Sequence, residues 1–486
     1  MTMKKTVFLT GASGNMGQEG LRFLLHRSSR FNVVALVLPT DKDRQIMEPF
    51  AGKPALKIVW GDLTNYDDVL ACVTGADYVL HVGAVVSPLA DHFPELATKV
   101  NIGSARNIIR AIKAQPDPDR IKLVYIGTVA QTGNRPAPIH WGRTGDPIKL
   151  SVYDNYALSK TIAEREVIES GLKYWVSLRQ TGIAHAGLLM IQDPIMFHTP
   201  MNGQLEWVTV RDAGRLVANV CDADVPDEFW RRIYNIGGGE KCRVSNAEFL
   251  QKTFSILGIE DFRRIFEPNW FATRNFHGQW YEDSDVLENY LHFRSEGIDD
   301  FIANLKRRVP WYFKLAGLVP GIIKWHIRSM ARGKGGTLNW IENDLRNKIA
   351  AYFGSKEQWQ QISGWEKFPL EKLSQTPQRL DHGYDETKSR GRLDLADMQG
   401  AAEFRGGKCL AEHMHRGDLH TQLKWRCAFD HEFEASPTLV LLAGHWCPHC
   451  LPMPWHDDEI AKRSPFFAQV WNPDHAPDEN RVYPME

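Results

Sequence analysis

The chain has 486 residues, with 58 Lys plus Arg against 59 Asp plus Glu and a net charge of -1. That length predicts about two to four domains, and the balance excludes a generally basic nucleic-acid coat and an acidic disordered tail. With 43% hydrophobic and 24% charged residues the composition is globular, not collagenous, coiled-coil or low-complexity.

The first predicted strand, Lys5–Leu9, runs into Thr10-Gly-Ala-Ser-Gly-Asn-Met-Gly17, and a helix follows over Gln18 to His26 with Leu21, Leu24 and Leu25 at helical spacing. Further strands are predicted at Asn32–Leu38, Lys57–Trp60, Tyr78–Val82, Lys122–Ile126 and Trp175–Leu178. Helices are predicted at Gly103 to Ala114 and Tyr156 to Ser170. Strands alternating with helices at this spacing give right-handed βαβ units and a doubly wound parallel sheet covered on both faces. No apolar run is long enough to span a bilayer: the best, Val309 to Trp325, is broken by Pro310, Lys314, Pro320 and Lys324. The amino terminus lacks the apolar stretch of a signal peptide. The chain reads as cytoplasmic.

Three features of this first half carry chemistry. Gly11, Gly14 and Gly17 lie between a strand and a helix, where glycine permits a tight turn and close approach of backbone to pyrophosphate, and the helix N-terminus offers unpaired N–H groups. A strand–helix turn that needs glycine only for packing is the plainer alternative. Thr128 stands just past the fifth strand, at the carboxyl edge where doubly wound sheets bind ligands; the plainer alternative is a Thr capping its own backbone. Tyr156 and Lys160 lie four apart on one helical face. The Lys160 ammonium is expected to lower the Tyr156 phenol from its usual ~10 and make it a general acid or base.

In this order the three features resemble the extended short-chain dehydrogenase/reductase family, which includes NAD-dependent epimerases and dehydratases, dihydroflavonol-reductase-like enzymes and hydroxysteroid dehydrogenases. The resemblance covers roughly residues 4–250. It extends to Gly61-Asp62-Leu63, like the adenine-contacting turn; to His81-Val-Gly83-Ala84, like the fourth-strand motif; and to Asn101 on its helix. Leu178-Arg-Gln-Thr-Gly-Ile183 resembles the loop over the nicotinamide, with Gln180 where proline is usual. Trp207-Val-Thr-Val-Arg-Asp-Ala213 and Tyr234-Asn-Ile-Gly-Gly238 resemble later segments of the core.

The resemblance implies a Rossmann fold and a cofactor site of Gly11, Ser13, Gly14, Asn15, Met16, Gly17, Asp62, Leu63, Gly83, Ala84, Asn101, Tyr156 and Lys160. It also implies a catalytic set: Tyr156 exchanges the proton, Lys160 lowers its pKa and holds the nicotinamide ribose, and Thr128 orients the substrate oxygen. The second strand ends Ala35-Leu-Val-Leu-Pro39 without an acid, and Thr40, Lys42 and Arg44 follow, so the reading leans to NADP over NAD. In the resembled family, residues 184–206 line the substrate pocket. Met190, Met196, Phe197, His198 and Met201 suit a small, fairly apolar carbonyl or alcohol, unless they are ordinary core.

Phe301 to Ile341 contains eight Lys or Arg and no acid, with Trp311, Tyr312, Phe313, Trp325 and Trp340. Packing or an oligomer contact is the leading reading of this stretch, and peripheral membrane contact is the alternative. A linker is expected at Thr376 to Arg392.

Near the end, Cys427-x3-His431 and Cys447-x2-Cys450 are separated by fifteen residues. Thiolates and imidazole at these spacings can close a tetrahedron around a structural zinc, with His445 and His449 as rival ligands and Cys409 outside the shell. The segment resembles small zinc-ribbon or treble-clef modules through Lys408-Cys-Leu410, Leu423-Lys-Trp-Arg-Cys427, Asp430-His431 and Gly444-His-Trp-Cys-Pro-His-Cys450, with Asp430 where glycine is usual. The expected role is stabilising or oligomer-forming. No basic stripe supports nucleic-acid binding.

The expected organisation is a reductase domain over 1–300, a Trp-rich basic helical extension and linker over 301–395, a zinc module over 396–455 and a tail over 456–486. The expected function is NAD(P)-dependent hydride transfer to or from a small-molecule substrate by a homo-oligomer. The alternatives are a nucleotide-sugar epimerase or dehydratase with tightly bound NAD, and a cofactor-sensing or nucleic-acid-binding regulator.

Overall fold

Seven strands pair in parallel, each rich in β-branched and aromatic residues: β1 (Lys5–Thr10), β2 (Phe31–Val37), β3 (Leu56–Trp60), β4 (Tyr78–His81), β5 (Lys122–Thr128), β6 (Trp175–Gln180) and β7 (Arg232–Ile236). Their order is β7-β6-β5-β4-β1-β2-β3. This is the doubly wound order expected, and it reverses beside β1, where such sheets bind ligands. The computed structural model describes residues 4–190, 193–222, 225–451 and 454–484.

The strands are apolar on both faces, as a sheet covered on both sides requires. Val7 and Leu9 join one core with Val33, Ala35, Ile126 and Leu178, while Phe8 joins the other with Val79, Leu123 and Trp175. Helices α1 (Asn15–His26) and, much later in the chain, Val210–Asp222 cover the first face. Across from them lie α2 (Tyr66–Val73), α3 (Gly103–Lys113) and α4 (Asn155–Ile168). Taking Val210–Asp222 as α5, its approach to α1 is set by missing side chains. A Cβ on Gly214 would lie 2.2 Å from Glu19 Cβ, and one on Gly20 would lie 2.7 Å from Val217 Cγ1.

The carboxyl-terminal part completes the second face. Helix α8 (Leu395–Phe404; α6 and α7 are Ile298–Arg308 and Pro320–Ala331) is followed by a small antiparallel sheet of β8 (Lys408–Cys409), β9 (Leu423–Arg426) and β10 (Glu432–Ala435). Met398, Trp425, Leu439 and Val440 are buried in the same apolar core as Leu123, Trp175 and Ile233 of the large sheet. A further core joins Tyr153 to Trp340, Phe353, Trp455 and Trp471. The stretch expected as a linker is tied down: Arg143 bonds Leu380 O and Glu386, and buried His382 lies 2.9 Å from Asp146 Oδ1. Among the described residues no helix is long and apolar enough to cross a membrane.

The contact between α1 and α5 leaves no room for a branched side chain. Gly214→Val is expected to cost about 1–3 kcal/mol through overpacking. Chemical denaturation measures this, and an unchanged midpoint would refute the account.

Candidate functional site

The glycine turn makes the floor of the site. Gly11 has φ +70, and a Cβ there would sit 2.7 Å from Gly83 Cα; a Cβ on Gly17 would sit 1.9 Å from Gly11 O. The first and third glycines are therefore required by close backbone approach. Gly14 caps α1 with no side-chain hydrogen bond, so no capping side chain occupies the N–H groups of the first turn. At the end of β4, Gly83 N–H donates to Thr10 Oγ1 (2.9 Å), and buried His81 bridges Thr10 Oγ1 and Ser104 Oγ (3.0 and 3.1 Å). Burial, with Lys160 second, pulls His81 down to about 3, so the bridge is a neutral imidazole. Asn101 stitches the β4 loop to the Tyr-bearing helix: its Oδ1 accepts Val85 N–H, and its Nδ2 donates to Val85 O and to Ser159 Oγ.

A cavity of about 1280 Å³ runs over this floor. Gly11, Ser13, Gly14, Asn15, Met16, Gly17, Asp62, Leu63, Gly83, Ala84, Thr128, Tyr156 and Lys160 all line it, which brings the sequence-derived residues together; Asn101 lies behind the wall. Leu36, Val37 and Leu38 at the end of β2 also line it, while Thr40, Lys42 and Arg44 do not. The Thr40 hydroxyl caps the next helix at Asp43 N–H, and the Arg44 guanidinium lies 4.4 Å from the centre of the Trp60 ring.

Tyr156 and Thr128 line the same cavity. Thr128 Oγ1 accepts Ala130 N–H at 3.1 Å, which is the backbone cap of the plainer alternative. The electrostatics differ from expectation. Burial pushes Tyr156 up to about 12, opposed by Thr128 and aided by Asp154. Lys160 does not lower it, because the ammonium points to the floor: Nζ donates to Ile126 O at 2.6 Å and lies 4.2 Å from the centre of the Tyr125 ring. Burial in turn lowers Lys160 to about 7.

The carboxylate of Glu164, one turn beyond Lys160, is wholly buried and was not singled out from sequence. It accepts from Gln131 Nε2 (2.6 Å), Ser177 Oγ (2.6 Å), Arg179 Nε and Nη2 (3.1 and 2.8 Å) and His445 Nε2 (2.9 Å). Burial alone would raise the Glu164 carboxyl, but the Arg179 guanidinium and the His445 hydrogen bond hold it well below the usual carboxylate range. Burial lowers His445, which therefore donates as a neutral N–H near pH 7. Charge at an i, i+4 position of a helix usually reads as solvated surface, so nothing in the sequence marks this clamp.

The stretch 184–206 lines the cavity as expected, through His185, Leu188, Ile195, Met196, Thr199 and Leu205 among others. Of the residues singled out in it, Met196 lines the cavity, Phe197 and Met201 are core, and His198 donates to Gly335 O and packs on Trp340. The side chain of Met190 lies outside the described residues. Later segments also build the outer chamber, through Phe249, Phe254, Ile323 and Met330 among others.

A second cluster lies in the carboxyl-terminal sheet. Cys427 closes β9, His431 opens β10, and Cys447 and Cys450 come from the following turn. Their ligand atoms lie within 4.8 Å of one another, with His431 Nδ1 at 3.5, 3.7 and 3.4 Å from the three sulfurs and Cys427 Sγ 3.8 Å from Cys450 Sγ. His445 is taken by Glu164, and His449 is outside the group. Cys409 pairs across to Trp425. Asp430 has φ +59, the left-handed conformation that explains why glycine suits this place and why Asp is tolerated.

Residues 11–185 match the model of an NAD(P)H-binding family. The chain is 28% identical to human 3 beta-hydroxysteroid dehydrogenase type 7 over 201 residues, 39% of this chain and 53% of that protein. It is 30% identical to UDP-glucose 4-epimerase of Rickettsia bellii (strain RML369-C) over 114 residues, 23% of this chain and 33% of that one. It thus spans about half, or a third, of these relatives. In fold it is similar to a dTDP-glucose 4,6-dehydratase from Streptomyces venezuelae solved with NAD bound, at a TM-score of 0.52 and 20% identity over 64% of this chain and 98% of that one.

Removing the charge that holds α4 leaves Arg179 buried and unpaired. Glu164→Gln is expected to cost about 3–5 kcal/mol. The contribution is complete above the ordinary carboxylate pKa of 4.5 and is lost only as pH falls well below it, so the variant and wild type should converge in strong acid. Thermal melts across pH check both, and a difference that grows towards low pH would contradict the sign. Residues 11–185 thus match an NAD(P)H-binding family and lie within a sheet of Rossmann type, similar in sequence to a hydroxysteroid dehydrogenase and a nucleotide-sugar epimerase and in fold to a sugar-nucleotide dehydratase.

Proposed function

We propose that the protein is an NAD(P)-dependent oxidoreductase that reduces an apolar carbonyl, of about the size of a steroid or similar polycyclic ketone. The observation that carries this reading is the character of the cavity beyond Tyr156. Among the described residues that line it, Lys160 is the only Lys or Arg. A sugar nucleotide would have to bury a diphosphate there without a counter-charge, which is costly. Phe249, Phe254, Ile323 and Met330 instead offer apolar and aromatic surface.

The dinucleotide fits the floor: uncapped N–H groups at the start of α1, a cradle that side chains on Gly11 or Gly17 would fill, and a buried Gln180 Oε1 without a protein partner beside Thr128. When bound, the nicotinamide supplies the hydride. Thr128 then orients the carbonyl oxygen, and the Tyr156 phenol, neutral at pH 7, donates the proton to it. Burial at about 7 makes the Lys160 ammonium responsive to a nearby pyrophosphate or ribose. The open end of β2, without an acid, supports NADP at least as well as NAD.

Incubation with NADPH or NADH and a panel of ketones should give net oxidation of the cofactor at 340 nm, greatest for apolar ketones. Tyr156→Phe should lower turnover at least a hundredfold while cofactor binding stays within about twofold. An epimerase would show no net change, and an unaffected rate in the variant would refute the role of Tyr156.

The Cys427, His431, Cys447 and Cys450 group supports a structural zinc. A tetrahedron with Zn–S of about 2.3 Å and Zn–N of about 2.0 Å has edges of about 3.5–3.8 Å, and the distances between these donors match that. Four protein ligands leave no open position, so the ion would serve packing beside α4. Metal analysis should give one zinc per chain, and Cys447→Ser or chelation should lower the melting temperature by several degrees. A metal-free protein with an unchanged melt would overturn the assignment.

A further inference from the structure

Helices α6 and α7 and the 3-10 segment Trp311–Leu318 between them bury some side chains and expose others. Ile302, Leu305, Ile327 and Ala331 pack inward, while Trp311, Leu318, Ile322 and Trp325 are 71%, 77%, 66% and 71% exposed. So many large apolar side chains gathered in one short segment are uncommon on a soluble monomer and mark an interaction surface.

The charge around them is one-sided. From residue 301 to 341 there are eight Lys or Arg and no acid. Lys324 pairs with Glu267 and Arg332 with Glu342, whereas Lys306, Arg308, Lys314 and Arg328 have no carboxylate partner among the described residues. Lys306, Arg307, Lys314 and Trp311 also line an open groove of about 650 Å³ beside the patch. Exposed tryptophans, aliphatic residues and unpaired cations around a groove are the makings of an interfacial surface for anionic lipid. A second copy of the chain fits worse, since a two-fold contact would bring these cations face to face without an acid between them.

The same segment lines the large cavity through Phe313, Ile323, Ile327 and Met330, and exposed Leu89 and Leu96 also line it. We propose that the 306–325 segment docks on the surface of an anionic bilayer, with a lipid phosphate in the groove of Lys306, Arg307 and Lys314, and that the apolar substrate enters the cavity from the lipid. The docking rests on the patch alone; the entry route rests on the apolar-carbonyl reading.

The test is flotation of the full chain with phosphatidylcholine vesicles, with and without phosphatidylglycerol, at low and high salt. The protein should float with the anionic vesicles, and less so at high salt. Combining Trp311→Ser, Leu318→Ser and Trp325→Ser, all at exposed positions, should reduce flotation at least tenfold with cofactor binding intact. Combining Lys306→Glu, Arg307→Glu and Lys314→Glu should remove the salt-sensitive part. The serine variant should also lose turnover of a vesicle-dissolved ketone but keep that of a short water-soluble one. No flotation at low salt, or equal flotation of the serine variant, would overturn the docking surface. So would a wild-type dimer that this variant splits and that never binds vesicles. Flotation lost on mutation in a protein that reduces no ketone would uphold docking and remove the entry route and the reductase reading.

Discussion

The Glu164 carboxylate is the point on which the site depends. A fully buried charge is tolerated only where every lone pair is used, and here four partners come from three places: the turn after β5, two residues of β6 and the loop before Cys447. Because Glu164 is one turn from Lys160, those bonds fix the rotation and depth of α4. Asp154 at the helix start, accepting Ala157 N–H at 2.7 Å, fixes the other end. Tyr156 lies between two anchored points, on the wall of the same cavity as Thr128.

The carboxyl-terminal segment thereby becomes part of the cofactor domain's framework. Arg179 Nη2 donates to Ala443 O as well as to Glu164, Arg165 donates to Glu434 O and Trp446 O, and Glu169 accepts from Ser436. The Cys/His cluster sits directly behind these contacts. An ion held there would stiffen the loop that presents His445 to Glu164, although it lies away from the cavity and touches no substrate.

The parallel sheet was legible because period, turn residues and strand–helix alternation are local properties: Gly11, Gly14 and Gly17, Thr128 and Tyr156 with Lys160 stand where their spacing places them. The charges were not legible. Whether Lys160 faces the phenol or the floor depends on Ile126 O and the Tyr125 ring, and whether Glu164 is solvated depends on residues far along the chain. Pocket lining was legible in part. The stretch 184–206 does line the cavity, but which of its side chains face it was not readable, since Phe197 and Met201 are core, and the chamber is completed by α7, more than a hundred residues later. The four metal-ligand candidates were readable because a hairpin and a tight turn fix them locally.

Lys149 gives this long-range closure a temporal meaning. Its buried ammonium donates to Val470 O and Asp474, more than three hundred residues away, within reach of Asn134 O and Oδ1. Together with the core shared by Leu123, Trp175 and Trp425, this means part of the second face of the sheet lacks its cover until segments far downstream have left the ribosome. During synthesis the sheet and α2 to α4 hold apolar surface and a cation awaiting partners made much later. A chain cut before Trp425 would therefore leave part of that face bare and Lys149 without Asp474.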